Sequence, residues 1–303
     1  MCFLSNYGYL VLPVSQIYRT FSIFVAFSAA LIVEAVLLSS RAAIGALPEV
    51  TLSPAHPKQG QTLVLKLHLP ADATPPVVTF DKKAYKLYPV AQPTNGTEYR
   101  ALIGIPADVA VGPHKLSIAG APQEVDVRSG GFGVQKIRLP KAKDNFISSP
   151  GEEEAVDAAK ATQSARQLWK GAFLPPSRAR VSTTFGLRRM VNGRLLPDYF
   201  HSGMDFAAAA GTPVRAAQDG RVILAHRGWR LHGNVVALDH GQGVVTFYLH
   251  LSKLLVKTGD MVEAGQEIGK VGSTGRATGP HLHFSLYVNG DASNPSDWFT
   301  RTM

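Results

Sequence analysis

Cysteine is nearly missing: Cys2 is the one thiol in 303 residues. A single thiol excludes an intramolecular disulfide and any cysteine-based zinc site. Cys2 also fails as a lipoprotein acceptor, because only Met1 precedes it and the apolar stretch of such a signal is absent. Charge is sparse at 17%, and acids are in deficit, 22 Asp and Glu against 31 Lys and Arg, for a formal net charge of +9. That balance suits an anionic partner: nucleic acid, a membrane surface or another anionic polymer. No tight Lys/Arg run with interleaved aromatics occurs, which argues against nucleic acid. The glycines from Gly272 to Gly279 lack the Gly-Lys-Ser/Thr ending of a phosphate loop.

What is present is turn-rich, with 28 Gly and 20 Pro. Phe21 to Leu38 is apolar apart from a few serines and Glu34, with Arg19 before it and small residues at Ala43 and Gly45. It reads as an export signal, residues 1–46, cleaved or retained as a membrane anchor. Glu34 would be costly inside lipid, which favours cleavage. Residues 47–140 carry short strand-like runs such as Thr62–Leu69, Val77–Phe80, Tyr99–Pro106, Lys115–Ile118 and Glu124–Val127. Their turn punctuation predicts an immunoglobulin-like β-sandwich in architecture only. Residues 141–172 form a linker. Its Glu152-Glu153-Glu154 opens an Ala-, Gln- and Lys-rich stretch that predicts a helix to near Trp169, packed between two domains. Residues 173–303 return to short β-runs: Val181–Phe185, Val214–Ala217, Gly220–Ala225, Val235–Asp239, Val244–His250, Met261-Val262, Glu267–Val271 and His283–Tyr287. The fold class is all-β apart from the linker helix.

Seven of the ten histidines lie in this last third. His281-Leu282-His283 places two imidazoles on one face of a strand, because the strand period is two. His201-Ser202-Gly203-Met204-Asp205 places a His and an Asp four apart, close enough to converge at a loop–strand junction. Three such N/O side chains with one open position make a catalytic zinc site, whereas a structural site is closed by four. The chemistry this points to is hydrolysis by metal-activated water. Spacing leaves open which of His281 and His283 meets the metal. His226, His232 and His240 are left as surface or rim residues, and His56, His68 and His114 lack spacing partners.

Phe185-Gly186-Leu187-Arg188, His201 to Phe206, Gly211-Thr212-Pro213-Val214, Ala217-Gln218-Asp219-Gly220, Gly233-Asn234-Val235-Val236, Tyr248-Leu249-His250-Leu251-Ser252 and Gly272 to Phe284 occur in that order. Together they resemble the lysostaphin/LytM-type zinc endopeptidases, which cleave peptide cross-links of bacterial peptidoglycan. The resemblance spans residues 173–299. It implies an antiparallel β metallopeptidase domain of the duplicated hybrid motif type, with one zinc ion per chain. It implies His201, Asp205 and His283 as metal ligands, and His250 and His281 as the catalytic pair beside the water and the substrate carbonyl. Arg188, Asn192 and Tyr248 are candidates for shaping the substrate groove. The expected partner is a peptidoglycan peptide in the periplasm or cell envelope, with no nucleic acid and membrane contact only through a retained N-terminal segment. The family also contains relatives that lost ligands and activate other wall hydrolases. A restrained regulator or scaffold is therefore the alternative reading.

Overall fold

The computed structural model describes residues 49–91, 96–140 and 147–303. The export segment of residues 1–46 lies outside the described residues. Residues 49–303 form one compact unit, and among the described residues no helix is long and apolar enough to cross a membrane.

Among the described residues the structure is mostly β, with two short helices, Glu152–Lys160 and Pro295–Thr300. Residues 50–127 form two four-stranded sheets. One runs Val50–Ser53, Thr62–Leu69, Thr97–Gly104, Tyr88–Ala91. The other runs Lys83–Tyr85, Val78–Phe80, Gly112–Ile118, Ala121–Val127. Alternate residues of both, including Leu63, Leu65, Leu67, Ile103, Leu116 and Val127, share one core. The sequence reading found the long central strands and missed the short ones, Val50–Ser53, Lys83–Tyr85 and Tyr88–Ala91.

The first half of strand Thr62–Leu69 is buried on both faces, whereas Lys66 is exposed. Its odd residues fill the sandwich, while Val64 turns the other way and joins Leu102, Trp169, Phe173 and Trp298 in a second core. The rings of Trp169 and Trp298 meet edge-on at 6.2 Å, and Phe173 and Trp298 at 5.1 Å. Edge-to-face contacts suit the aromatic quadrupole. Polar ties run alongside. The Thr62 and Ser293 hydroxyls meet at 2.8 Å, Asn289 Nδ2 donates to the Leu102 carbonyl at 2.7 Å, and Lys83 pairs with Asp291 at 2.7 Å.

The second core belongs to an eight-stranded sheet. Its order is Val181–Thr183, Gly203–Phe206, Leu282–Val288, Val244–Leu249, Val235–Gly241, Gly220–His226, Met261–Val262, with Asp291–Ser293 beside Leu282–Val288. Two three-stranded sheets flank it. In one, Val134–Ile137, which follows the sandwich sheets, pairs in parallel with Arg188–Val191, which pairs in turn with Arg194–Phe200.

The linker helix stops at Lys160, well short of Trp169. The Thr162 hydroxyl turns back to the Ala158 carbonyl at 3.4 Å. Beyond it the chain lies extended on the hairpin of strands Val235–Gly241 and Val244–Leu249. Ser164 Oγ donates to Asp239 at 2.6 Å, Gln242 N to the Ser164 carbonyl at 2.6 Å, and Leu168 N to the His240 carbonyl at 2.8 Å. Satisfying these groups across the hairpin replaces the helical bonds that Ser and Thr support poorly. Gly241 permits the contact, since a Cβ there would lie 1.8 Å from the Arg166 carbonyl oxygen. The helix itself does not sit between two domains. Val156 and Ala159 pack on Trp229, Val235, Phe247 and Leu249 of the large sheet.

Candidate metal centre

Asp205 and His283 are direct register partners on neighbouring antiparallel strands, Gly203–Phe206 and Leu282–Val288. Directly opposed residues share one face of a sheet. His201 enters the same face from the loop just before the first strand. Gly203 lies between His201 and Asp205 in sequence. A Cβ there would come within 2.2 Å of the Phe284 carbonyl oxygen and 3.0 Å of the His283 ring, so the glycine makes room for the imidazole.

His201 Nε2, Asp205 Oδ1 and His283 Nδ1 form a nearly equilateral triangle. Its edges are 3.1 Å, 3.0 Å and 2.9 Å. Tetrahedral ligation at ~2.0–2.2 Å calls for edges of about 3.3–3.6 Å, so a small outward movement fits a metal ion. The protonation pattern points the same way. His201 Nδ1 donates to the Thr184 carbonyl at 2.8 Å, so its Nε2 carries a lone pair. A lone pair, a carboxylate and a second imidazole therefore converge where one proton at most is available. Burial alone would raise the Asp205 carboxyl, but its contacts with the His201 and His283 rings hold it far below the usual carboxylate range. Burial pushes His283 down to about 4. These three are the one His/Cys/Asp/Glu cluster with metal-ligand spacing among the described residues.

His250 and His281 stand beside the triangle, their rings 4.9 Å apart. His250 follows strand Val244–Leu249 in a left-handed conformation, φ 64°, which costs a non-glycine residue roughly 1–3 kcal/mol and is typical of functional positions. Its Nδ1 donates to the Thr274 carbonyl at 2.9 Å, leaving Nε2 as acceptor. Burial, with the His281 and His283 rings close by, drives its pKa well down. His281 is not within strand Leu282–Val288 but one residue before it, bridged to Gly272. Its Nδ1 donates to the Gly279 carbonyl at 2.9 Å, and its Nε2 lies 3.9 Å from Asp205 Oδ1.

These groups open into a cleft of about 710 Å³. Its walls are not made by residues 173–303 alone. Pro106 and Asp108 come from the sandwich, Gln135 and Ile137 from strand Val134–Ile137, and Lys160 from the end of the helix.

The three groove candidates are placed otherwise. Tyr248 is fully buried on the opposite face of its strand. It packs on Phe284, its phenol oxygen accepts from Ala217 N at 2.8 Å, and burial pushes its pKa up. Asn192 is a hairpin residue at φ 49° whose amide clasps the Leu139 backbone through bonds of 3.1 Å and 3.0 Å. Arg188 is exposed, and its neighbour Arg189 faces the cleft instead. Sequence reasoning also missed Glu152 and His232. Glu152 is fully buried and accepts from Ser149 N, Leu231 N, His232 N and His232 Nδ1 at 2.7–3.0 Å. His232 lines the cleft, and its carbonyl receives His250 N at 3.1 Å. The three-Glu run looked like a helix start, and nothing in its spacing distinguished the residue that turns inward.

An antiparallel sheet carrying a His–Asp–His cluster and a second imidazole pair in a walled cleft defines a metal-binding hydrolase-like site. Residues 199–295 match the family described as Peptidase family M23, and the chain carries an M23 domain of the lysostaphin/LytM type. It is similar to the peptidoglycan DD-endopeptidase ShyA of Vibrio cholerae, 48% identical over 120 residues, which cover 39% of this chain and 27% of that relative. It is similar to the DD-carboxypeptidase/endopeptidase Mpg of Neisseria meningitidis, 44% identical over 128 residues, which cover 42% and 29%. The chain thus spans under a third of the length of these curated relatives. A solved M23 peptidase structure from Pseudomonas aeruginosa aligns with a TM-score of 0.59 at 28% identity, covering 83% of this chain and 97% of that one.

Proposed function

We propose that this protein is an exported zinc metalloendopeptidase that hydrolyses peptide cross-links of bacterial peptidoglycan. The observation that carries the reading is the triangle of His201 Nε2, Asp205 Oδ1 and His283 Nδ1, with the His250 and His281 rings against it in one cleft. Those three atoms would hold zinc, which would supply Lewis-acid polarisation of the scissile carbonyl. Thr184 and the strand pairing fix the ligand side chains before substrate arrives. His250 Nε2 is neutral and unprotonated, because Nδ1 holds the hydrogen against Thr274. It is thereby set to take a proton from the attacking water. His281 Nδ1 donates to the Gly279 carbonyl, so its Nε2 is set to accept a proton and, once it carries one, to donate to the developing oxyanion or the leaving amine. The names of the relatives support D,D-bonds as the target. Placement outside the cytoplasm rests on the apolar run Phe21–Leu38.

The test is His281→Ala in the full chain, with zinc content and muropeptide release measured together. Zinc should stay at one per chain while turnover falls roughly 10²-fold or more, the scale of an acid–base or oxyanion group. Loss of zinc would make His281 a ligand, and retained turnover would remove it from the chemistry.

A further inference from the structure

Arg189 is the cleft cation that the arrangement above leaves unused. Its side chain is 12% exposed and lines the cleft. Its ion pair with Asp205 Oδ2 is long, 3.7 Å, outside hydrogen-bond reach. Its Nε is buried with no hydrogen-bond partner among the described residues. The other cleft cations are engaged: Lys160 pairs with Asp157 at 2.9 Å, and Arg276 lies over the Tyr199 ring at 6.0 Å. Across the ladder from Arg189 stands Gln135, whose Oε1 is likewise buried without a partner. A guanidinium carries five donors in a rigid fork matched to a carboxylate. Leaving Nε desolvated and unpaired, with Nη2 held only by a long ion pair, is costly, and a carboxylate entering the cleft would satisfy both.

The acceptor must sit close to the reacting bond, because Arg189 reaches the same carboxylate that forms one corner of the metal triangle. In a peptide bond between two α-centres, the acyl-side residue has spent its carboxyl in the scissile bond. The amine-side residue still has a carboxyl on the carbon next to the scissile nitrogen. Where that carboxyl is free, it is the anion nearest the chemistry. We infer that Arg189 is a specificity-determining residue that pairs with the free α-carboxylate on the amine side of the scissile bond. The inference rests on the peptidase reading, and it names a substrate class. Bonds whose amine-side α-carboxyl is free are favoured. Bonds with that carboxyl amidated, or made to an amine that has no adjacent carboxyl, are disfavoured.

The experiment compares a D-alanyl cross-linked peptide dimer with the amine-side α-carboxyl free and the same dimer amidated there. Binding to the chelator-treated full chain is measured by calorimetry, and hydrolysis by the zinc-loaded chain is followed in parallel. The free-acid dimer should bind the native protein about 10- to 100-fold tighter, the usual scale of a charge-assisted pair. Arg189→Gln should bind both dimers alike and keep its zinc. Equal binding of the two dimers by the native protein overturns the assignment without needing any variant. So does an Arg189→Gln protein that still discriminates. If binding discriminates but neither dimer is cut, the hydrolase reading fails and the Arg189 assignment stands. If both are cut and neither is preferred, the reverse holds.

Discussion

His240 is fully buried within strand Val235–Gly241, far from any ligand role. Its Nδ1 donates to the Asp219 carbonyl and its Nε2 meets the Thr246 hydroxyl, each at 2.8 Å. Burial lowers its pKa to about 4 from an ordinary 6.5. Below pH 6.5 the unfolded chain protonates this histidine and the folded chain does not. Its contribution to stability is therefore complete above 6.5 and is lost as pH falls towards 4. The amount is about 3 kcal/mol. Urea midpoints measured between pH 7 and 4 should fall, and His240→Gln should flatten that slope while lowering the pH 7 midpoint. At this scale fixed spacing set His201 with Asp205 and His281 with His283 apart from the other histidines, but the ligand set came from the family resemblance, and the reading of His240 as a surface or rim residue is corrected by its full burial. It could not separate Arg188 from Arg189. Neighbouring strand residues face opposite ways, and nothing in Arg-Arg-Met-Val fixes the phase.

The linker helix shows how one element does work its propensity does not reveal. Its start at Glu152 was legible, since acids cluster there, as the helix dipole favours. Its N-cap, Gly151, offers no side-chain bond. Glu152 instead turns inward and pins the loop that carries His232. Burial opposes the charge on Glu152, but the N–H groups of Ser149 and His232 and the His232 imidazole hold its pKa below the ordinary value. Glu152→Ala leaves those donors buried without an acceptor, and should cost about 2–4 kcal/mol in chemical denaturation. Because His232 O receives His250 N, the variant should also lower turnover with zinc unchanged. A loss confined to stability would mean the loop holds its shape without the carboxylate. The end of the helix was not legible, because the partners of Ser164 and Leu168 lie on a hairpin over seventy residues further on.

On the scale of the whole molecule, the sandwich is fixed to the M23 sheet through Arg100. This residue is 5% exposed, donates to the Met303 carbonyl and to Gln167 at 2.8 Å each, bonds Gln242, and stacks over Trp169 at 5.1 Å. Burial lowers its pKa to about 10. Residues 49–303 should melt in one calorimetric transition. Arg100→Ala, which strands two glutamine oxygens, should lower that transition by about 5 °C or more. Two separated transitions in the native chain would show the sandwich to be independent. The sequence carried a sign of this attachment. Thr62-Leu63-Val64-Leu65 is continuous where a strand with one wet face would alternate. Which surface covered the second face was not readable from either segment alone.

The contacts that hold the sandwich have a kinetic side. Thr62 bonds Ser293 and Trp298 across separations of 231 and 236 residues, and Arg100 reaches Met303 across 203. During synthesis, residues 62–104 leave the ribosome long before the segment that covers them. Val64 and Leu102 wait exposed, and every loop of the metal sheet must close before they are buried. Non-local closure of this kind slows folding and prolongs the exposure of apolar strand surface. The groups that weld the two halves of the folded protein are thus the ones a nascent chain must shield longest.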